Sequence, residues 1–296
     1  MADIQELKNR AVELLGNSGG TQLILDEKNH FLLLKQDIPS DLTATFYEPA
    51  LCLILQGRKE IFAGQRSFGF GVGELLIISH EIPVVSKITE ASKSAPYIAL
   101  VLGLDYSIIR DLHHEIAEIP LGKGHSRSLE VNKAGSHVVD SLFRLMNATQ
   151  DETDFLVLLP QILREVHFRL LQAPCGGMLR NLLQHNSHAT KISKAISLIR
   201  GKYTETLSVD GVARSVGMSV SSFFQHFKVI TESTPLQYQK NIRLLEARRL
   251  LMSEGESVTE TALKVGYESP NQFSREYVRK FGSTPSSDLK SGALRN

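Results

Sequence analysis

Cysteine is nearly missing from this chain of 296 residues: only Cys52 and Cys175 occur. Two cysteines without a paired ligand spacing exclude a disulfide framework and a four-ligand zinc site. No leading apolar stretch reads as a signal segment and no apolar run is long enough for a bilayer, so the expectation is a soluble, cytoplasmic protein with no membrane partner. Histidine is sparse where a metal would need it. The strand-rich segment that ends at YIALVLGL offers only His30 and His80 and no His-x-His pair, so no metal, no other cofactor and no enzymatic activity are expected. An overall excess of one charge is also lacking, with 33 Lys plus Arg against 32 Asp plus Glu. The balance hides an asymmetry: from His188 onward 16 basic residues face 10 acidic ones, while 17 face 22 before it. A basic half joined to an acidic half points to a nucleic-acid-binding half.

What the chain does have is an internal repeat in its last hundred residues. VDGVARSVGMSVSSFFQHFKVITESTPLQY, from Val209, aligns with VTETALKVGYESPNQFSREYVRKFGSTPSSD, from Val258. Ala213 matches Ala262 and Gly217 matches Gly266; after one extra residue Phe223 matches Phe273, Phe227 matches Tyr277 and Pro235 matches Pro285. Two copies are too few for a solenoid, so two small helical modules are expected. Each has the grammar of a helix-turn-helix. A small alanine lies where the helices cross, and a glycine able to take positive φ follows four residues later. Ser219 or Ser269 then caps the second helix, the latter with Pro270 at the first helical position. Ser257 with Glu260 forms a capping-box pattern ahead of the second copy.

Winding the second helix of each copy at about 100° per residue puts Phe223, His226 and Phe227 inside and Ser221 and Gln225 outside, flanked by Ser222, Phe224 and Lys228. In the second copy Phe273, Glu276 and Tyr277 bracket the inner face; Asn271 and Arg275 look outward, with Ser274 and Arg279 beside them. Outward Gln, Asn and Arg are the side chains that pair bidentately with adenine and guanine edges; the alternative is an ordinary solvated face. Between the copies PLQYQKNIRLLEARRLLM, capped by Thr234, reads as one long helix with Leu236, Ile242, Leu245 and Leu250 as its apolar stripe and Arg243, Arg248 and Arg249 available for phosphates.

The first half reads differently. Ile4, Leu7, Ala11, Leu14 and Leu15 form an amphipathic helix, followed by strand-like runs LTATFYEP, LCLILQG, KEIFAG, SFGFGVG, ELLIIS, VVSKIT and YIALVLGL. Cys52, between Leu51 and Leu53, is expected to be an inert core thiol, and His80 a loop end. Two long helices are expected after the strands, over Leu129–Thr149 and Phe155–Leu171, the latter apolar nearly all round and kinked or divided at Pro160. A second subunit is one candidate to cover it. APCGGMLRNLLQHNSHAT, from Ala173, breaks the pattern and marks a boundary.

GYESPNQFSREYVRKFGSTP, with TPLQYQKNIRLLEARRLL and GMSVSSFFQHFK before it, resembles the AraC/XylS transcription regulators over about the last third of the chain. CLILQGRKEIFAGQRSFGFGVGELLIIS is similar to the sensor domain of one branch of that family. The resemblance implies an α+β protein of two domains. Residues 1–180 form a cupin-like β-barrel with helices that senses an effector and dimerises; 181–190 form a linker; 191–296 form an all-α tandem helix-turn-helix. It implies a bacterial, sequence-specific regulator of double-stranded promoter DNA, partnered by RNA polymerase, a small-molecule effector and a second copy of itself. Its DNA-contacting residues would be Ser221, Ser222, Gln225, Lys228, Arg243, Arg249, Asn271, Ser274, Arg275 and Arg279. Two alternatives compete: a DNA-alkylation-repair regulator, which needs a cluster of reactive cysteines, and a cupin-type metalloenzyme with a basic tail, which needs strand histidines.

Overall fold

The computed structural model describes residues 1–18, 21–64, 66–115, 127–184, 187–253 and 256–293. Helix α1 (Ile4–Ser18) buries Leu7, Ala11, Leu14 and Leu15, the stripe its spacing requires. Nine strands follow: β1 (Gln22–Asp26), β2 (Phe31–Gln36), β3 (Thr43–Tyr47), β4 (Ala50–Gln56), β5 (Arg58–Ala63), β6 (Arg66–Gly71), β7 (Glu74–Ile78), β8 (Ile82–Glu90) and β9 (Tyr97–Gly103). After α2 (Tyr106–Glu115) comes a tenth, β10 (Leu129–Lys133). As the cupin-like resemblance implies, the strands form a sheet-rich domain: they hydrogen-bond into two antiparallel sheets, ordered β1-β2-β9-β4-β7-β10 and β3-β8-β5-β6, that enclose a common core.

Period-two alternation explains the layers. Along β4, Leu51, Leu53 and Leu55 join the core beneath the helices, whereas Ala50, Cys52 and Ile54 join the core between the sheets. β7 and β9 divide in the same way: Leu75, Ile77, Ile98, Leu100 and Leu102 face the helices, Leu76, Ile78 and Ala99 the other sheet. The six-stranded sheet is therefore covered on both faces, which is why its middle strands read as unbroken apolar runs. Cys52 is buried, as expected, and its thiol is pushed up by burial, partly offset by Lys59 and Tyr97.

The helix expected over Leu129–Thr149 splits. Its first five residues form β10, paired along the free edge of β7, with Leu129 and Val131 alternating inward. Helix α3 (Ser136–Ala148) starts only after Gly135. An unpaired sheet edge outcompeted local helical periodicity. Pro160 divides the next segment: α4 (Glu152–Val157) ends and α5 (Leu159–Gln172) begins with the proline in its first turn. Helix α5 turns Ile162, Leu163, Val166 and Leu170 into the core and is flanked by α2, α3 and α4 of the same chain, so its apolar character is satisfied without a second subunit. The α4–α5 corner, Leu156, Val157 and Leu158, leaves its apolar side chains exposed.

The segment expected as a linker, 181–190, begins within α6 (Gly177–Leu183), and residues 185 and 186 of it lie outside the described residues. Met178 packs into the core of the first carboxy-terminal module while the adjacent Leu179 packs into the sensor core. The connection is thus a helix shared by both halves. Seven helices complete the chain: α7 (His188–Gly201), α8 (Val209–Ser215), α9 (Val220–Thr231), α10 (Pro235–Ser253), α11 (Val258–Lys264), α12 (Pro270–Phe281) and α13 (Pro285–Ala293). They build two cores. One holds Ile192, Ile196, Ala213, Phe223, Phe227, Tyr238 and Ile242; the other holds Leu244, Ala247, Leu251, Ala262, Tyr267, Phe273 and Tyr277. Helix α10 feeds both and so buries more than one face. The single stripe expected for it is corrected accordingly: Ile242 and Leu250 are buried, Leu236 is exposed and Leu245 only half-buried.

The halves meet along the four-stranded sheet. Tyr238 of α10 stacks edge-on against Phe46 of β3 and donates its hydroxyl proton to the Glu81 carbonyl at 2.8 Å. Arg200 of α7 pairs with Glu81, and the Ser128 N–H donates to the Ile230 carbonyl at 3.1 Å. Between the halves His80 is buried, with Nδ1 3.0 Å from the Ser79 hydroxyl and Nε2 3.4 Å from the Ala189 carbonyl. Burial lowers its pKa to about 4, so it is neutral there.

Candidate nucleic-acid interface

Each module is shaped by its backbone before any side chain reaches outward. Ser208 caps α8 by accepting from Gly211 N–H, and Ser257 caps α11 in a full capping box with Glu260. Both helices end alike. Met218 N–H donates to the Ala213 carbonyl and Gly217 N–H to that of Arg214; Tyr267 N–H donates to Ala262 and Gly266 N–H to Leu263. This paired 6→1 and 5→2 pattern is the Schellman ending, and it needs a left-handed residue at the turn. Gly217 (φ 66°) and Gly266 (φ 90°) supply it. Ser219 and Ser269 then cap α9 and α12.

The turns differ in their surroundings. A Cβ on Gly217 would meet only the Lys191 ammonium, at 3.9 Å, whereas one on Gly266 would lie 2.3 Å from the Thr204 carbonyl oxygen. The turn of the second module therefore rests directly on the loop after α7 of the first. Arg243 of α10 closes that joint: its guanidinium donates to the carbonyls of Tyr203 at 2.7 Å, Thr204 at 3.1 Å, Glu205 at 2.8 Å and Gly266 at 2.8 Å. Gln239 adds donations to Tyr203 and Glu205. The donors expected to await phosphates at Arg243 are thus spent holding the modules together. Arg248 likewise pairs with Asp288 and lies over Phe281, while Arg249 grips Glu246 with two nitrogens. Arginines at this spacing looked free because their partners lie on other elements or one turn away.

The outer faces are open. On α9, Ser221, Gln225 and Lys228 are exposed, Ser222 is half-buried, and Phe224 stands out among them. Phe223 and Phe227 are fully buried beneath. His226 is only half-buried and stacks on His188 at 3.6 Å between ring centroids. Burial, with the neighbouring His188, lowers its pKa. On α12, Asn271, Arg275 and Arg279 are exposed and Ser274 is half-buried. Gln272 and Val278 share this face and were missed, although Gln272, Arg275 and Arg279 stand at the three- and four-residue spacing that signals one side of a helix. Glu276 is tied down by Lys240, Tyr267 and Gln272. These bonds outweigh its burial and keep its carboxyl below the usual range, so it stays an anchored anion at the rim of the face.

Among the described residues no group of three His, Cys, Asp or Glu side chains is placed to hold a metal ion. No helix among them is long and apolar enough to cross a membrane.

A family profile described as the AraC-type transcriptional regulator N-terminus matches residues 29–178, half of the chain. The chain belongs to the AraC-type transcriptional regulators. A helix-turn-helix domain profile matches residues 212–291, which takes in α9 to α12 whole. Among curated relatives, this AraC-type chain is 33% identical over 110 residues to the HTH-type transcriptional regulator ArgR of Pseudomonas aeruginosa, covering 37% of the chain and 33% of the relative. It is 28% identical over 115 residues to the HTH-type transcriptional activator RhaS of Escherichia coli, covering 38% of the chain and 41% of the relative. The matched stretch spans well under half the length of these relatives. Among solved structures, an apo variant of ToxT from Vibrio cholerae shares the fold with a TM-score of 0.57 at 13% identity, covering 88% of this chain and 97% of that one. Unsaturated fatty acid bound wild-type ToxT superposes with a TM-score of 0.54 at 14% identity, covering 87% of this chain and 92% of that one. The structural likeness to ToxT takes in residues of both halves of the AraC-type chain.

Proposed function

We propose that this chain is a cytoplasmic, sequence-specific DNA-binding transcription regulator whose sensor half answers to a small-molecule effector. The observation that carries the reading is the pair of exposed polar faces on α9 and α12, held at a fixed separation by α10 and the Arg243 joint. Two such helices enter successive major grooves on one side of a duplex when about one helical turn, roughly 34 Å, separates them. Gln225, Asn271, Gln272 and Arg275 then offer the bidentate groups that discriminate bases, and Lys228 and Arg279 the charge that meets phosphates. The ToxT structure with a bound unsaturated fatty acid supports an effector-holding role for a fold of this kind. The proposal extends to contact with RNA polymerase and to pairing of two copies, for which the exposed Leu156–Leu158 corner offers an apolar surface. It assigns the chain no catalytic role.

Footprinting on the DNA flanking its own gene, at two salt concentrations, tests the reading. The expected result is one asymmetric protected site whose affinity falls steeply with salt. Binding that ignores sequence at both concentrations sinks it.

A further inference from the structure

β5 carries a charge where its pattern calls for an apolar residue. Ile61 and Ala63 are buried between the sheets, and the period of two puts Lys59 on that same inward face. Its partners across the sheet are Phe70 of β6 and Ile88 of β8, both buried. Its Nζ lies 5.2 Å from the centre of the Tyr47 ring. Burial works to lower the Lys59 pKa, but Tyr47 and Cys52 more than offset it, and the amine stays protonated. Lys59 is half-buried, and its ammonium is met by Tyr47 rather than by a carboxylate: none among the described residues forms an ion pair with it, so its charge is left without a counter-ion at the edge of an apolar space.

The ammonium borders a cavity of about 370 Å³ between the sheets, walled mainly by Leu32, Leu34, Phe70, Leu76, Ile78 and Val101. That volume is at the small end of ligand sites. Glu48 and His30 also line it, and Glu48 is exposed. We propose that the cavity binds a monoanionic amphiphile, an alkyl or aryl carboxylate of medium length, with Lys59 as the counter-ion of its head group. One cation matches one negative charge. A polyhydroxylated ligand would leave hydroxyls unpaired against the leucine and phenylalanine walls, and a dianion would leave half its charge uncompensated. The inference rests on the reading of the chain as an effector-controlled regulator and names the chemistry of that effector.

The test uses the full chain, calorimetry and thermal melts, with hexanoate, decanoate and 4-butylbenzoate as probes and decanol and decylamine as neutral and cationic counterparts. At least one carboxylate is expected to bind and raise the melting temperature, decanol to bind about ten-fold more weakly or worse, and decylamine not to bind. Lys59→Met replaces a half-buried cation that has no carboxylate partner by an apolar chain of similar length. The apo variant should melt no lower than the wild type, lose about ten-fold or more in carboxylate affinity and keep its affinity for decanol. Equal binding of acid and alcohol, undiminished carboxylate binding by Lys59→Met, or no binding of any of the three acids overturns the proposal. Footprinting of the same samples separates the two readings. A protected promoter site with no carboxylate bound rejects the ligand class and leaves the regulator standing; carboxylate bound through Lys59 with no sequence-specific footprint upholds the ligand site and rejects the regulator.

Discussion

Replacing Gly266 by alanine should damage the protein several times more than the same change at Gly217, although the two glycines occupy equivalent turns. Both alanines would be forced into a left-handed backbone, at about 1 kcal/mol each. At Gly217 that is the whole effect, because the added methyl meets only the end of Lys191. At Gly266 the methyl would lie 2.3 Å from the Thr204 oxygen and 2.8 Å from its Cα, both backbone atoms. The loop must retreat, at about 1 to 3 kcal/mol more, and as it moves the carbonyls held by Arg243 move with it. The sum is about 2 to 4 kcal/mol against about 1. At roughly 2 to 4 °C per kcal/mol, Gly217→Ala should lower the melting temperature by a few degrees and Gly266→Ala by about 4 to 16 °C. Circular dichroism melts of the full chain measure both. Footprinting should show the promoter site kept in the first variant and lost in the second, since α12 is displaced relative to α9. Equal shifts would refute the argument, because they would mean that the turn conformation alone matters and the seat on Thr204 contributes nothing.

Arg275→Ala should weaken cognate binding by about 1 to 3 kcal/mol and relax preference at one base position, while Lys228→Ala weakens all sequences alike; anisotropy on specific and scrambled duplexes would contradict this if both variants behaved identically. Arg243→Ala should reduce stability as well as DNA affinity, because its donors hold four carbonyls; a variant that binds weakly with an unchanged melt would return Arg243 to the phosphate-contact role. The pH dependence of stability has a defined sign at His80. Its folded pKa of about 4 lies below the ordinary 6.5, so between these values the unfolded chain takes up a proton that the folded one refuses. Stability is full above about pH 6.5 and falls as pH drops toward 4, by up to about 3 kcal/mol. His167, also lowered chiefly by burial, adds to the slope. His80→Gln should flatten the curve of urea midpoint against pH over this window, and parallel curves would show that His80 does not titrate at the joint. A fragment from His188 to Asn296 should fold alone on its two cores and bind the site more weakly than the full chain; an unfolded fragment would show that the sensor half completes those cores.

The two modules were legible because everything that shapes them is local: a cap, a crossing alanine, a turning glycine and a second cap within about twenty residues. The strands β3 to β9 were legible from alternation and turns, and Pro160 from its missing N–H. What could not be read depends on distant partners. β2 pairs with β9, far along the chain, and β1 is held only by β2 at the sheet edge; Leu129–Lys133 is a strand only because the edge of β7 is free. Arg243 and Arg248 looked like unspent charges because carbonyl acceptors and Asp288 are brought to them only by folding. The face of α10 was misjudged for the same reason: a helix between two cores has no single stripe. Lys59 was readable in principle, as the one charge on the inward beat of β5.

The carboxy end of α9 is pinned from the other half of the molecule. Glu232 closes that helix in a left-handed conformation, at the position where the second module has Gly282, and its carboxylate is held by Arg66 of β6 at 3.0 Å and approached by Arg127 at 3.7 Å. A chimera that grafts this carboxy-terminal half onto a foreign sensor would inherit a recognition helix whose terminal clasp has no hand to close on it. The parts that can be exchanged between such proteins are therefore not those on either side of the α6 segment. A transplantable unit must carry the β6 corner and the Arg127 approach with it, or supply a glycine at 232 that lets α9 end without help.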